Sequence, residues 1–244
     1  MKTPLIIEAF KNINRADFVP TDLKDEVGVN APLPIGFEQT ISQPLTVAFM
    51  LELLQPQRGD KILDIGSGSG WTSALLAWCV GGDVIARSEA TKQSRGSITG
   101  LPRYARDDKK EGKVFAVERI KELHEFGKNN ISKYTKYNRF ARSKKEGKSS
   151  LFSLAADYNF IDEGIIEFIC ADGSRGLPEQ APFNKILVSA AADEIPLALK
   201  EQLAVNGRLV MPVKNSIWLV VKKSDNEFME EEFYGFSFVP LVSQ

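Results

Sequence analysis

The chain is poor in the residues that most enzymes use for proton transfer and metal binding. Histidine occurs once and cysteine twice in 244 residues. The single histidine, His124, lies mid-helix in ERIKELHEFG and reads as a surface residue rather than a catalytic base. The cysteines Cys79 and Cys170 sit in the apolar runs LLAWCVG and IEFICAD, and read as buried thiols in a reducing compartment rather than as a disulfide. No metal is expected. An excess of either charge is missing too: 31 Lys and Arg against 32 Asp and Glu leave a net charge of -1. That balance supplies no electrostatic attraction for nucleic acid or a membrane surface, and neither is expected as a partner. No stretch reaches ~18 apolar residues, and MKTPLIIEAF has no long apolar core of a leader, so neither secretion nor membrane spanning is indicated. A cytoplasmic protein is the expectation.

What remains is ordinary globular material, 43% apolar and 26% charged. The length suits one generous domain over residues 1–244, expected to be a monomer. Residues 1–57 read as helices and loops, with a Pro/Gly-rich ordered loop at Ala31–Gly36 and a helix from Leu45 to Leu54 for which Ser42 is the natural N-cap. Residues 58–244 alternate strand and helix. Strands are expected at Lys61–Ile65, Val114–Glu118, Ile165–Cys170, Phe183–Val188, Arg208–Val213, Ser216–Val221 and Phe238–Leu241. Helices are expected at Trp71–Val80, Ile120–Asn129 and Pro196–Leu203. This order implies an α/β fold with a doubly wound, mostly parallel sheet. Two Lys/Arg/Ser/Gly-rich segments, about 83–110 and 135–158, interrupt connections that such a fold makes in a few residues. They read as surface-loop insertions, whose basic clusters are solvated charge or a contact for an acidic partner.

The densest chemistry is Asp64-Ile65-Gly66-Ser67-Gly68-Ser69-Gly70, a strand feeding a glycine turn and then a helix. Such a turn lets backbone approach a ligand at the carboxyl edge of the sheet. A dinucleotide site would favour G-x-G-x-x-G with a pyrophosphate on the helix N-terminus. Here the glycines run G-x-G-x-G behind an acidic residue. An anion beside the turn suits a cofactor carrying an ammonium and a sulfonium better than a pyrophosphate. S-adenosylmethionine is therefore favoured over NAD. Glu118, ending the second strand, can accept hydrogen bonds from both ribose hydroxyls. Its separation from Gly70 returns to roughly 20 residues once the first insertion is subtracted. Asp172-Gly173, ending the third strand, can meet the adenine or simply form a turn.

The acceptor is harder to read. There is no N-P-P-Y-type loop for planar amines and no Pro-Cys nucleophile for cytosine carbon. A carboxylate acceptor, with a pKa of about 4, is already anionic at neutral pH and needs no general base. Catalysis can then rest on alignment and desolvation of that anion.

At Leu33-Pro34-Ile35-Gly36-Phe37-Glu38-Gln39-Thr40-Ile41-Ser42-Gln43-Pro44 the chain resembles the protein-L-isoaspartate O-methyltransferase family, whose P-I-G-x-x-Q-T-I-S-Q-P loop precedes the cofactor turn. The likeness continues through AFKNINRADFVP, ILDIGSGSGWTSALLA, VFAVERIKEL, CADGSRGLPEQAPFNKILVSAAADEIPLALKEQL, GRLVMPV and FVPLV, leaving out the two insertions. The resemblance implies methyl transfer from S-adenosylmethionine to the carboxylate of L-isoaspartyl, and D-aspartyl, residues in damaged proteins. It implies Ser42 as the catalytic hydroxyl, with Gln39, Thr40 and Ile41 closing over cofactor and substrate. It implies cofactor contacts at Asp64, Gly66, Ser67, Gly68, Gly70, Glu118, Arg119, Asp172 and Gly173. On spacing alone, Ser42 is as well explained by helix capping. Other readings are a class I methyltransferase for a small carboxylate or hydroxyl, and a cofactor-binding homologue without turnover. Both insertions are foreign to the family pattern. The chain also ends soon after the V-P-L segment, so a longer tail covering the cofactor is not expected.

Overall fold

The computed structural model describes residues 1–81, 112–134, 160–161 and 164–241. The basic segments expected to be insertions, about 83–110 and 135–158, lie outside the described residues. The chain begins with helix α1 (Pro4–Asn12), whose Ile6 and Ala9 are buried against α3 (Trp71–Val80). Glu52 of α2 (Pro44–Leu54) accepts from the Lys2 and Thr3 amides at 2.6 and 3.0 Å and from the Thr3 hydroxyl at 2.7 Å. The start of α1 is thereby pinned to α2.

Residues 31–42 are more regular than the expected loop. Strands β1 (Leu33–Gly36) and β2 (Gln39–Ile41) form an antiparallel hairpin in which Leu33 faces Ile41. Phe37 and Glu38 turn it with φ of 54° and 57°. Both central residues thus take the left-handed conformation of a tight hairpin turn, which is normally supplied by Asn-Gly or Asp-Gly. Phe-Glu gives no such signal.

A seven-stranded sheet forms the centre, in the order β5-β4-β3-β6-β7-β8-β9. Its strands are β3 (Lys61–Ile65), β4 (Lys113–Glu118), β5 (Ile166–Cys170), β6 (Phe183–Val188), β7 (Leu203–Val213), β8 (Ser216–Ser224) and β9 (Glu227–Tyr234). Strands β3 to β7 pair in parallel, whereas β8 and β9 are antiparallel additions. Helix α4 (Lys121–Ser132) follows β4, and the short α5 (Leu197–Glu201) precedes β7.

Continuous apolar runs build this centre because both sheet faces are covered. Alternate residues of each strand go to opposite cores. Ile62, Val114, Ala116, Leu187 and Val210 join α1, α2 and α3 on one face. Leu63, Ile65, Phe115, Val117, Ile186, Val188, Leu209 and Met211 join Leu199 and Leu203 on the other. At about 1.5–3 kcal/mol for each large side chain removed from water, these two layers supply the main stabilisation.

Four differences from the sequence reading stand out. Strand β9 was not anticipated: no element is expected from sequence at residues 227–234, yet they form the charged edge strand that closes the sheet. Cys170 is exposed rather than buried, because β5 is the opposite edge and its last residue is uncovered; Cys79 is buried. His124 is buried, not at the surface, and meets Phe168 edge-on at 5.9 Å between ring centroids. At the carboxyl end, Phe238–Leu241 forms only an isolated bridge, Pro240 to Ala191.

Candidate active site

Strand order reverses at β3, with β4 on one side and β6 on the other. Ligand crevices form at such switch points, outside the carboxyl ends of the strands. A cleft of about 800 Å³, including space open to solvent, lies there. Its walls are the turns after β3, β4, β5 and β6, the β1–β2 hairpin with Ser42, and Val239–Leu241.

The glycine turn after β3 is held from several sides. Gly66 and Ser67 donate their amides to Val117 O at 2.9 and 3.1 Å. Gly66, Gly68 and Gly70 have φ of 77°, 49° and 84°. Glu118 grips the turn with one carboxylate oxygen, Oε2, accepting from the Gly68 amide at 3.0 Å, and its own loop with Oε1, accepting from the Ile120 amide at 2.9 Å. Asp172 Oδ1 accepts from the Ser174 amide at 2.8 Å and shapes the turn after β5.

Of the residues singled out from sequence, Gln39, Thr40, Ile41, Ser42, Gly66, Ser67, Gly68, Glu118, Arg119, Asp172 and Gly173 line this one cleft. Asp64 and Gly70 do not. Asp64 is fully buried beneath the turn, where Oδ2 accepts from the Ser73 hydroxyl at 2.6 Å and Oδ1 has no partner. Burial, less the Ser73 bond and with Glu118 adding repulsion, pushes its pKa up to about 7. Gly70 instead serves backbone packing: a Cβ there would stand 2.9 Å from Gly127 O.

Gly127 and Asn130 of α4 were not picked out from sequence. A Cβ on Gly127 would stand 2.7 Å from Gly68 O, and Asn130 Nδ2 donates to Ser69 O at 3.1 Å. A glycine inside the helical run HEFGKNN was the one available sign of this backbone-to-backbone contact. Ser189 and Ala190 after β6, and the stretch Val239–Leu241, were missed as cleft walls. That last stretch is fixed by Leu241 N donating to Ala191 O at 2.7 Å and Ala191 N donating to Val239 O at 2.8 Å.

The Ser42 side chain is not a helix cap. The N-cap of α2 is Gln43, with Pro44 as first helical residue. The orphan amide of Leu45 is taken by Asn30 Oδ1 at 3.0 Å, from fifteen residues upstream. Steric and hydrogen-bonding demands of the helix therefore leave the Ser42 hydroxyl, in the cleft wall, available to a ligand.

The residues present fit an adenosyl cofactor. Ser67, 4% exposed, lines the cleft, and its buried Oγ has no partner. Carboxylates end both β4, at Glu118, and the turn after β5, at Asp172, and a buried carboxyl lies under the turn. Among the described residues no group of three or more His, Cys, Asp or Glu could hold a metal ion.

A Rossmann-like sheet with a G-x-G-x-G turn at its switch point, and a carboxylate closing the neighbouring strand, defines the class I methyltransferase fold. A Plasmodium falciparum crystal structure holding S-adenosyl-L-homocysteine superposes with a TM-score of 0.70 at 20% identity, covering 99% of this chain and 92% of that one. The family model described as protein-L-isoaspartate(D-aspartate) O-methyltransferase matches residues 1–95 and 104–244. The chain belongs to that family. Relatives named protein-L-isoaspartate O-methyltransferase are 35% identical in Methanopyrus kandleri (98% of this chain, 84% of the relative) and 35% identical in Aeropyrum pernix (98% and 73%).

Proposed function

We propose that the chain transfers the methyl group of S-adenosylmethionine to the carboxylate of L-isoaspartyl residues, and of D-aspartyl residues, in damaged proteins. One observation carries the reading: Ser42 shares a cleft with the glycine turn and Glu118, and its side chain is not used to cap α2. When bound, S-adenosylmethionine would supply its sulfonium methyl group to an acceptor carboxylate oxygen, giving a methyl ester and leaving S-adenosylhomocysteine. Glu118 and Asp172 would hold the adenosyl portion as acceptors for its hydroxyl and amino groups, and Ser67 Oγ would offer a further polar contact. Buried Asp64, when ionised, favours positive charge above it. Ser42 donates its hydroxyl proton in a hydrogen bond to one oxygen of the acceptor carboxylate and aims the other. Gln39, Thr40 and Ile41 exclude water, which strengthens these contacts. No proton has to be removed from an acceptor that is already ionised.

The test is methylation of an isoaspartyl peptide beside its aspartyl twin. The isoaspartyl peptide alone should be methylated, and Ser42→Ala should lower turnover by ~10²-fold, about 2.7 kcal/mol of transition-state stabilisation. Its melting temperature should stay near that of the native chain, because Gln43 and Asn30 serve the helix start. Ser42→Thr keeps the hydroxyl and should retain more turnover than alanine. Equal methylation of both peptides, or undiminished turnover in Ser42→Ala, would overturn the reading. A small carboxylate as acceptor would show as no methylation of either peptide.

We further propose a cytoplasmic monomer with no nucleic-acid or membrane partner. The near-neutral net charge of -1 offers no attraction for nucleic acid or an anionic surface, and among the described residues no helix is long and apolar enough to cross a membrane. Sedimentation of the purified chain as a dimer would refute the monomer.

A further inference from the structure

Arg15 is 6% exposed, and its described hydrogen-bond partners are all backbone carbonyls. Nη1 donates to Val27 O at 3.1 Å and to Val29 O at 3.3 Å. Nη2 donates to Ala31 O at 2.8 Å and to Ser42 O at 3.2 Å. The guanidinium also lies over the Trp71 ring, 5.5 Å from its centroid, and Trp71 follows Gly70 directly. A buried cation without a counter-charge is costly, and carbonyl dipoles with an aromatic face offset that cost only in a specific geometry.

That geometry joins the two halves of the cleft. Three of the carbonyls curl residues 27–31 into a strap, which presents Asn30 to the Leu45 amide at the start of α2. The fourth belongs to Ser42 itself. Arg15 is anchored in turn to the cofactor side. It opens the short 3-10 helix Arg15–Phe18, where Tyr134 at the end of α4 donates to Asp17 Oδ2 at 3.0 Å and stacks on Phe18 at 5.6 Å. The same α4 presses Gly127 and Asn130 on the glycine turn.

We propose that Arg15 is a positioning residue for methyl transfer: through the Ser42 carbonyl and the Trp71 ring it fixes the Ser42 loop against the cofactor turn. The inference rests on the reading of Ser42 given above. Only the planar five-donor fork spans four carbonyls while stacking on a ring, so lysine is not an equivalent.

The experiment is a double-mutant cycle of Arg15→Lys and Ser42→Ala on the full chain. Four readouts are taken: kcat and KM for an isoaspartyl peptide, calorimetric affinity for S-adenosylhomocysteine, and thermal unfolding. Arg15→Lys should lower kcat about tenfold per folded molecule, with affinity for S-adenosylhomocysteine within about threefold. In the Ser42→Ala background the same change should lower kcat less than twofold, because the group it positions is gone. Asn30→Ala, at an exposed site, should repeat the pattern at smaller size and serves should Arg15→Lys not fold. An unchanged kcat with only a lowered melting temperature makes Arg15 structural and overturns the proposal. Additive losses in the cycle overturn it as well. Normal turnover in Ser42→Ala alone is the separate signature that the reading of Ser42 has failed.

Discussion

Gly127→Ala sets two effects of opposite sign against each other. In an ordinary helix, alanine is more favourable than glycine by about 1 kcal/mol. Here the added Cβ would stand 2.7 Å from Gly68 O, 3.2 Å from Gly70 N and 3.3 Å from Ser69 C. The nearest of these is roughly 0.6 Å inside the closest ordinary C···O contact. All three are backbone atoms of the turn, so relief requires moving the turn or the whole helix. Overpacking of this kind costs about 1–3 kcal/mol, and the helical gain offsets part of it. The net effect on stability should be ~0–2 kcal/mol, a few degrees for a chain of this size. Ligand binding should suffer more, because Gly68 carries the amide held by Glu118 at 3.0 Å. Losing much of one hydrogen bond to a charged group, about 1.5–3 kcal/mol, corresponds to ~10–100-fold in affinity. Calorimetric titration with S-adenosylhomocysteine, beside thermal unfolding, separates the two effects. A Gly127→Ala chain that melts higher and binds within twofold of the native chain would refute the argument, showing that the helix backs away without disturbing the turn.

Glu118→Gln leaves one carbonyl oxygen for two amide donors, those of Gly68 and Ile120, and should weaken S-adenosylhomocysteine by ~10–100-fold; a change under twofold would contradict the clamp. The Asp64 carboxyl, raised from 3.8 to about 7, holds its proton more tightly in the folded state, so the ligand-free chain should lose stability as pH rises through that window. Asp64→Asn should flatten that fall in urea unfolding, and parallel curves would refute it. Gly112 packs against Val80, the residue before Gly81, so the two ends of the segment lie close together, and replacing residues 83–110 by a few glycines and serines should preserve S-adenosylhomocysteine binding; loss of binding by a chain that still folds would make that segment part of the site.

The parallel centre was legible because strands covered on both faces must be continuous apolar runs: KILDI, KVFAVE and FNKILV announce themselves. The glycine turn was legible because its chemistry is local. Elements whose character depends on their neighbours were not. Strand β9 is a strand only because β8 lies beside it, and its glutamates alone suggest solvent. The hairpin at Phe37-Glu38 uses residues that disfavour its backbone, held in place by Leu33 facing Ile41. Ser42 reads as a cap because Ser-x-Pro is a capping pattern, but the helix takes its acceptor from Asn30. Arg15 carries no motif at all: its significance lies in carbonyls 12 to 27 residues away.

The cleft draws its walls from both extremities of the polypeptide, Ile35–Ser42 near the start and Val239–Leu241 near the end. During synthesis, therefore, the cleft is completed late. Strand β3 waits for β6, more than a hundred residues later, before the central sheet can close. The cleft waits longer still, until Leu241 has left the ribosome and paired with Ala191. A nascent or carboxyl-truncated chain can hold the glycine turn and still lack a complete cleft. Assembly of the cleft thus couples segments that lie some two hundred residues apart in the chain.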